Sequence, residues 1–106
     1  MEGTFQNKSN SSYLVIEYPM IIIGAGQSKT IFSGFGFEIL GTKENKRVVL
    51  KHATVTDVKG NGVHGKNGLS FLCERMTFTQ CRLHGVCARN TKGRLINCVI
   101  TQCRLS

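Results

Sequence analysis

The chain has no tryptophan, a single proline and only six acidic residues among 106. Little proline together with 12 glycines predicts many tight turns. A hydrophobic content of 41% with 19% charged residues is ordinary for a globular protein, and the length suits one domain with a small core.

A long hydrophobic run is also missing. No stretch approaches the 18 or more apolar residues that a membrane span needs, and the N-terminal sequence MEGTFQNKSNSS is polar where a signal peptide would be apolar. We therefore expect a cytoplasmic protein that does not associate with membranes. The five cysteines contain no C-x-x-C pair, which predicts buried free thiols in a reducing compartment rather than a zinc site.

The scarcity of acidic residues limits the chemistry that the chain can perform. Glycoside hydrolysis needs paired carboxylates, and a polysaccharide lyase that uses calcium needs carboxylates to hold the ion beside a basic residue that accepts the proton. The six acids share no common position in the repeat described below; they are Glu2, Glu17, Glu38, Glu44, Asp57 and Glu74. The three histidines are His52, His64 and His84. Because a metal centre needs three or four converging ligands, we interpret them as turn residues and predict no catalytic site, no metal and no cofactor.

Internal repetition is what the chain has in abundance. TQCRL occurs at 79–83 and again at 101–105, and ATVTDVKG at 53–60 precedes the matching MTFTQCRL by 23 residues. Apolar and polar residues alternate with period two, as in a strand with one buried face. The apolar columns, meaning residues at the same position of successive repeats, are Ala53/Met76/Cys98, Val55/Phe78/Ile100, Val58/Cys81/Cys103 and Leu50/Cys73/Leu95. The repeats NGVHG and HGVCA indicate a glycine turn and a second, shorter strand.

A repeat of 22 or 23 residues, rich in glycine turns and β-branched residues, predicts an all-β solenoid of about four coils. Leucine-rich repeats have similar lengths, but their L-x-x-L-x-L frame is absent. We expect a polar N-terminal segment over residues 1–13 and a single β-helix domain over 14–106. Thr56, Thr79 and Thr101 should form a hydroxyl ladder on the outer face, and Cys81 and Cys103 should be packed thiols rather than a disulfide.

The segments MIIIGAGQSKTIFSG, VVLKHATVTDVKGNGVHG, LCERMTFTQCRLHGVCA and LINCVITQC together resemble the right-handed parallel β-helix, or pectin-lyase-like, repeat family. The resemblance covers residues 14–105 and implies a right-handed parallel β-helix. It implies little about function, because the superfamily includes lyases, hydrolases and adhesins. A degenerate polysaccharide lyase or hydrolase is therefore one alternative.

The stretch IIIGAGQSKT, residues 21–30, ends like a phosphate-binding loop. However, Ile23 and Ser28 occupy the positions of the two glycines in G-x-x-x-x-G-K-[ST], and the residues that follow are strand-like instead of helical. The sequence therefore predicts a turn between strands at 20–23 and 30–33, with Gly24 and Gly26 at the first corner of a solenoid whose later corners carry Gly62 and Gly85.

The net charge of +8 is partly arranged in columns. Lys59, Arg82 and Arg104 form a first basic ladder, and Lys66 and Arg89 form a second. These ladders could bind an anionic polysaccharide through arginine forks, whereas the few aromatic residues disfavour nucleic acid. The simpler interpretation is a solubility device that also discourages sheet edges from pairing.

The last repeat presents Leu95, Cys98, Ile100 and Cys103 toward a next layer. An open solenoid end exposes strand edges and core side chains, so we expect it to be covered. The cover could be a second copy in a two-fold, end-to-end dimer, a partner domain, or the continuation of a longer β-helix. We predict a non-catalytic structural or interaction module that self-associates through this coil; a carbohydrate- or polyanion-binding domain is the main alternative.

Overall fold

The structure is a computed structural model that describes residues 3–6, 13–40, 47–66 and 68–104. These ranges contain no helix, and every strand pairing within them is parallel. The strands are β1 Gly3–Gln6, β2 Tyr13–Ile16, β3 Ile21–Ile23, β4 Thr30–Ser33, β5 Gly36–Leu40, β6 Arg47–Val58, β7 Val63–Lys66, β8 Ser70–Cys81, β9 Val86–Arg89, β10 Gly93–Ile96 and β11 Val99–Thr101.

The strands wind through two parallel sheets. Sheet A has the order β1-β4-β6-β8-β10, with β3 on β6 and β11 on β8, and sheet B has the order β2-β5-β7-β9. Coil 1 is β1 and β2, coil 2 is β3 to β5, coil 3 is β6 and β7, coil 4 is β8 and β9, and coil 5 is β10 and β11. In the described residues coil 5 has no strand in sheet B, so the five coils make a β-solenoid of about four turns, which confirms the fold class predicted from the repeat.

The columns predicted from the repeat are the columns of the structure. The pairs Ala53 with Met76, Val55 with Phe78 and Val58 with Cys81 are in register between β6 and β8, and all six side chains are at most 2% exposed. In coil 5, Ile100 pairs with Phe78 and Leu95 pairs with Cys73. Strand β1, at Gly3–Gln6, belongs to the segment that was predicted to be a polar N terminus, and it pairs with β4.

Single left-handed residues turn the chain at two corners of coils 3, 4 and 5. They form the columns His52/Arg75/Asn97 and Asp57/Gln80/Gln102, with φ between 51° and 60°. A left-handed conformation costs an L-residue about 1–2 kcal/mol, and asparagine tolerates it better than arginine or glutamine does. The alternation of apolar and polar residues did not predict these corners, because Arg75, Gln80 and Gln102 are not residue types that signal them.

The opening turn belongs to one of these corners. Gly24 donates its N–H to Lys51 O (2.8 Å), which places it beside His52, and Ile31 pairs with Thr54. Residues 25–29 are therefore an insertion at the His52 corner. The expectation that this turn corresponds to the later Gly62 and Gly85 turns was wrong.

The inserted turn lies across the outer face of sheet A. Thr54 donates its hydroxyl to Gln27 O (2.7 Å), and the Gln27 amide donates to Thr77 Oγ1 (2.8 Å) one coil further on. The buried Thr30 accepts a hydrogen bond from Ala25 N through its hydroxyl (2.9 Å), which closes the turn, and strand β4 begins there instead of a helix. The segment therefore resembles a phosphate-binding loop in sequence but not in structure.

A glycine column forms the second type of turn. A Cβ on Gly62 would lie 2.5 Å from Gly85 O and 2.8 Å from Phe78 Cδ1, so only glycine lets the coils approach this closely. Tyr13, the first residue of β2, pairs with Gly36 and so occupies the position of the glycine column in coil 1. Its hydroxyl accepts a hydrogen bond from Asn61 N (2.8 Å), and Asn61 Oδ1 accepts one from His84 N (2.9 Å).

Candidate interaction surfaces

The outer edge of sheet A is formed by β10 and β11. In the described part of the chain both strands pair with β8 on one side only. Leu95 is 41% exposed, and Cys98, Ile100 and Cys103 are partly buried against the core. These four side chains, predicted as a self-association surface, lie together on this edge.

Coil 5 also differs from coils 3 and 4 on its outer face. The outward column Ile23/Lys51/Glu74/Ile96 carries an ion pair in its middle, with Lys51 Nζ 3.6 Å from Glu74 Oε1, and an isoleucine at each end. The outward column Ile31/Thr54/Thr77/Val99 similarly replaces two threonines with Val99, which is 46% exposed. At these two positions the outward side chains become apolar in coil 5, whereas the column Val49/Leu72/Arg94 becomes charged there and Thr101 continues the threonines of its column.

A second apolar edge lies at the other end of sheet A. Strand β3 pairs with β6 only, as far as the structure describes the chain, and its Ile21 and Ile23 are 65% and 53% exposed. Tyr18 and Met20, just before this strand, are exposed as well. Sequence reasoning missed this edge, although three isoleucines in a row lack the alternation that would bury one face and hydrate the other.

The first basic ladder is a column in the structure. Arg82 N donates to Val58 O and Arg104 N to Cys81 O (3.0 Å each), which stacks Lys59, Arg82 and Arg104 on successive coils. All three side chains are exposed, and no carboxylate of the described residues forms an ion pair with them. The ladder could therefore contact an anion without first losing an internal partner.

The second basic ladder borders a partly buried cluster on the outer face of sheet B. Lys66 pairs with Arg89, and beside them Glu38, His64 and Cys87 form the neighbouring outward column. His64 Nδ1 lies 3.7 Å from Glu38 Oε2, whereas Nε2 is buried without a hydrogen-bond partner. Burial lowers the pKa of His64 below 6.5; Glu38 opposes this shift, and Lys66 and Arg89 add to it.

Four of the five free cysteines lie in the adjacent coils 4 and 5. The Cys98 thiol donates to Cys73 O (3.3 Å), and Cys103 lies in the same column as Cys81. Burial raises the pKa of the Cys73 thiol, and burial together with hydrogen bonding to Cys103 raises the pKa of Cys81 to about 12. The thiols of Cys73 and Cys81 therefore stay protonated at neutral pH.

The acidic residues are dispersed. Glu38 is on sheet B, Glu74 on sheet A, Asp57 at a corner and Glu17 in an exposed connection, while Glu2 and Glu44 lie outside the described residues. Within the described ranges, no three His, Cys, Asp or Glu side chains converge as metal ligands. The same ranges include no helix with the length and apolar character to cross a membrane.

Comparisons with protein-family models, with curated proteins and with solved structures found no match to this chain. The fold and the class that it defines, a small parallel β-solenoid, therefore stand on the repeat and its geometry alone.

Proposed function

We propose that the protein is a non-catalytic β-helix module that self-associates through the edge formed by β10 and β11. The observation that carries the proposal is the change from polar to apolar side chains at two outward positions of coil 5. Lys51 and Glu74 are followed by Ile96, and Thr54 and Thr77 by Val99. A solvated end would favour charged residues at these positions.

Burial supports the same conclusion. Each large apolar side chain left in water forgoes about 1–3 kcal/mol of stabilisation, and Leu95 and Val99 are both nearly half exposed. A copy related by a two-fold axis would cover the same residues on both molecules and would pair the strand edges with each other.

Sedimentation velocity with light scattering tests this proposal at micromolar concentrations. We expect a dimer that the substitution Val99→Lys converts to a monomer, because it places a charge on the exposed face of β11 without entering the core. Ile21→Lys is the matched control, since it makes the same change on the opposite edge of sheet A.

The outcomes separate the possible geometries. Dissociation by Val99→Lys alone supports the two-fold dimer. Dissociation by both variants indicates a head-to-tail assembly and contradicts the two-fold arrangement. A wild-type monomer, as expected if a partner domain or further β-helix normally covers the edge, overturns self-association.

A second candidate function is binding of an anionic polysaccharide by the first basic ladder. It is favoured by the exposure of Lys59, Arg82 and Arg104 and by the lack of internal ion pairs at these residues. We expect salt-dependent retention on heparin that is lost when the three are changed to glutamine, while glutamine at Lys29, Lys92 and Arg94 leaves it in place. Equal losses in the two triple variants would indicate a general charge effect.

We also propose kinship with the pectin-lyase-like β-helix family and a cytoplasmic location. The kinship is supported by the parallel coils and by their 22- or 23-residue period, and the location by the free thiols. Neither depends on the self-association test.

A further inference from the structure

Cys103 of coil 5 is stacked directly on Cys81 of coil 4. Thr101 pairs with Thr79, and Arg104 N donates to Cys81 O (3.0 Å), so Cys81 and Cys103 occupy the same position on adjacent coils. Their thiols point to the same side of the wall: Cys81 Sγ lies 3.7 Å from Thr79 O, and Cys103 Sγ lies 3.7 Å from Phe78 O and 3.4 Å from Thr101 O.

The distance between stacked coils decides what such a pair can hold. Parallel neighbours are about 4.7–4.9 Å apart. This separation lies within the range of about 4.4–6.8 Å between the Cα atoms of a disulfide, but an S–S bond of about 2.05 Å forms only if the two side chains turn toward each other. Two metal–thiolate bonds of about 2.3 Å placed in line span about 4.6 Å. Side chains that extend in parallel from the two coils therefore suit a bridging ion, whereas an S–S bond requires them to turn.

We propose that Cys81 and Cys103 form a two-coordinate thiolate site for a soft monovalent cation, with Cu(I) as the probe. Two sulfur ligands select soft ions. Zinc needs four ligands, and no third His, Cys, Asp or Glu joins the pair among the described residues. Cys81 is 2% exposed, but Cys103 is only partly buried and lies on the edge of the stack, which provides a path of entry in the unassociated chain.

The binding step exchanges protons for the ion. Two S–H bonds break, two S–Cu bonds form, two protons pass to solvent, and no electrons are transferred. Burial, the Cys103 thiol and the carboxylate of Asp57 all disfavour the Cys81 thiolate, whereas the N–H of Gly62 favours it. Because protons compete for the sulfurs, affinity should fall as the pH is lowered.

An anaerobic titration of the full chain with Cu(I) against a chromogenic competing chelator tests the site, with native mass spectrometry giving the number of ions per chain. We expect one ion per chain, at least about 10- to 100-fold weaker binding in Cys103→Ser, and no change in Cys98→Ser or Cys87→Ser. The partly exposed Cys103 is chosen because the fully buried Cys81 could be needed for folding. Binding should persist in Val99→Lys, so the result does not depend on self-association.

Three outcomes would overturn the proposal. Cu(I) could bind Cys103→Ser as tightly as the wild type. It could instead be lost in Cys98→Ser, which would assign it to the Cys73 and Cys98 thiols. Finally, the wild type could lose two hydrogens to oxidised glutathione and form the Cys81–Cys103 disulfide while failing to bind Cu(I).

Discussion

Coils 3 and 4 and coil 5 repeat the same pattern but differ in what surrounds them. In coils 3 and 4 the inward residues of β6 and β8 are fully buried, and the outward ones are mostly threonine or charged. In coil 5 the inward Ile100 is only partly buried, and the outward Val99 is apolar. The inward positions therefore stay apolar in all three coils, whereas the outward position that holds threonine in coils 3 and 4 holds valine in coil 5.

The position of a coil in the stack also determines how much it contributes to stability. A coil between two others contributes burial on both of its faces, while a terminal coil contributes it on one. Substitutions in the interior coils should thus change stability more than the same substitutions in coil 5.

The largest effect is expected from the Val55/Phe78/Ile100 column. Phe78→Ala should lower the free energy of unfolding by about 3–5 kcal/mol, because Phe78 is fully buried. Ile100→Ala should lower it by only about 1 kcal/mol, since one side of Ile100 faces the open edge. Urea denaturation of both variants in a Val99→Lys background makes the comparison on one oligomeric state.

Equal losses from the two substitutions would contradict the distinction between interior and terminal coils. A changed denaturant slope in Phe78→Ala would indicate a difference in the unfolded ensemble instead of a cavity.

The next prediction uses pH, because coil 3 contains a partly buried histidine, His64, whereas β10, β11 and their connections contain no histidine or acid. The folded chain holds His64 with a lowered pKa, so the unfolded chain binds more protons once the pH falls below about 6.5. This contribution to stability is present above that pH and is lost as the pH drops through the folded pKa.

Denaturation midpoints measured from about pH 7.5 to 5.5 should therefore fall less steeply in His64→Gln than in the wild type. Subtracting the two curves removes the contribution of the carboxylates. Parallel curves would show that the burial of His64 has no effect on stability.

The smallest effect concerns the left-handed column His52/Arg75/Asn97. Coil 5 has asparagine at this corner and coil 4 has arginine. Arg75→Asn should raise the free energy of unfolding by about 0.5–1 kcal/mol, and Asn97→Arg should lower it by a similar amount. Thermal unfolding of both variants tests whether the two changes in stability have opposite signs. A lower stability of Arg75→Asn would show that the exposed arginine makes a stabilising contact.

The sequence predicted the columns well because TQCRL recurs and fixes the register of two coils without any knowledge of turns. It also placed the first basic ladder and the apolar edge of coil 5. The left-handed corners were missed because Arg75 and Gln80 carry no local signal for them. The inserted turn at 25–29 was misaligned because glycines mark two different kinds of corner in this solenoid.

The candidate surfaces were harder to predict than the fold. Whether Ile21 and Ile23 are exposed depends on whether another strand lies beside β3, which a pattern within β3 cannot show. Burial lowers the pKa of His64 and the charge of Glu38 raises it. These opposing effects likewise follow only from the placement of the two residues on neighbouring strands.

Two hydrogen bonds in the structure pass over an intervening coil. The Tyr13 hydroxyl joins coil 1 to Asn61 of coil 3, and the Gln27 amide joins coil 2 to Thr77 of coil 4. A solenoid with contacts only between nearest neighbours can fray one repeat at a time from its ends. Here the first coils cannot peel away without also breaking bonds to the middle of the stack, so unfolding from this end should be more cooperative than unfolding from coil 5, and amide hydrogen exchange should be correspondingly uneven along the chain.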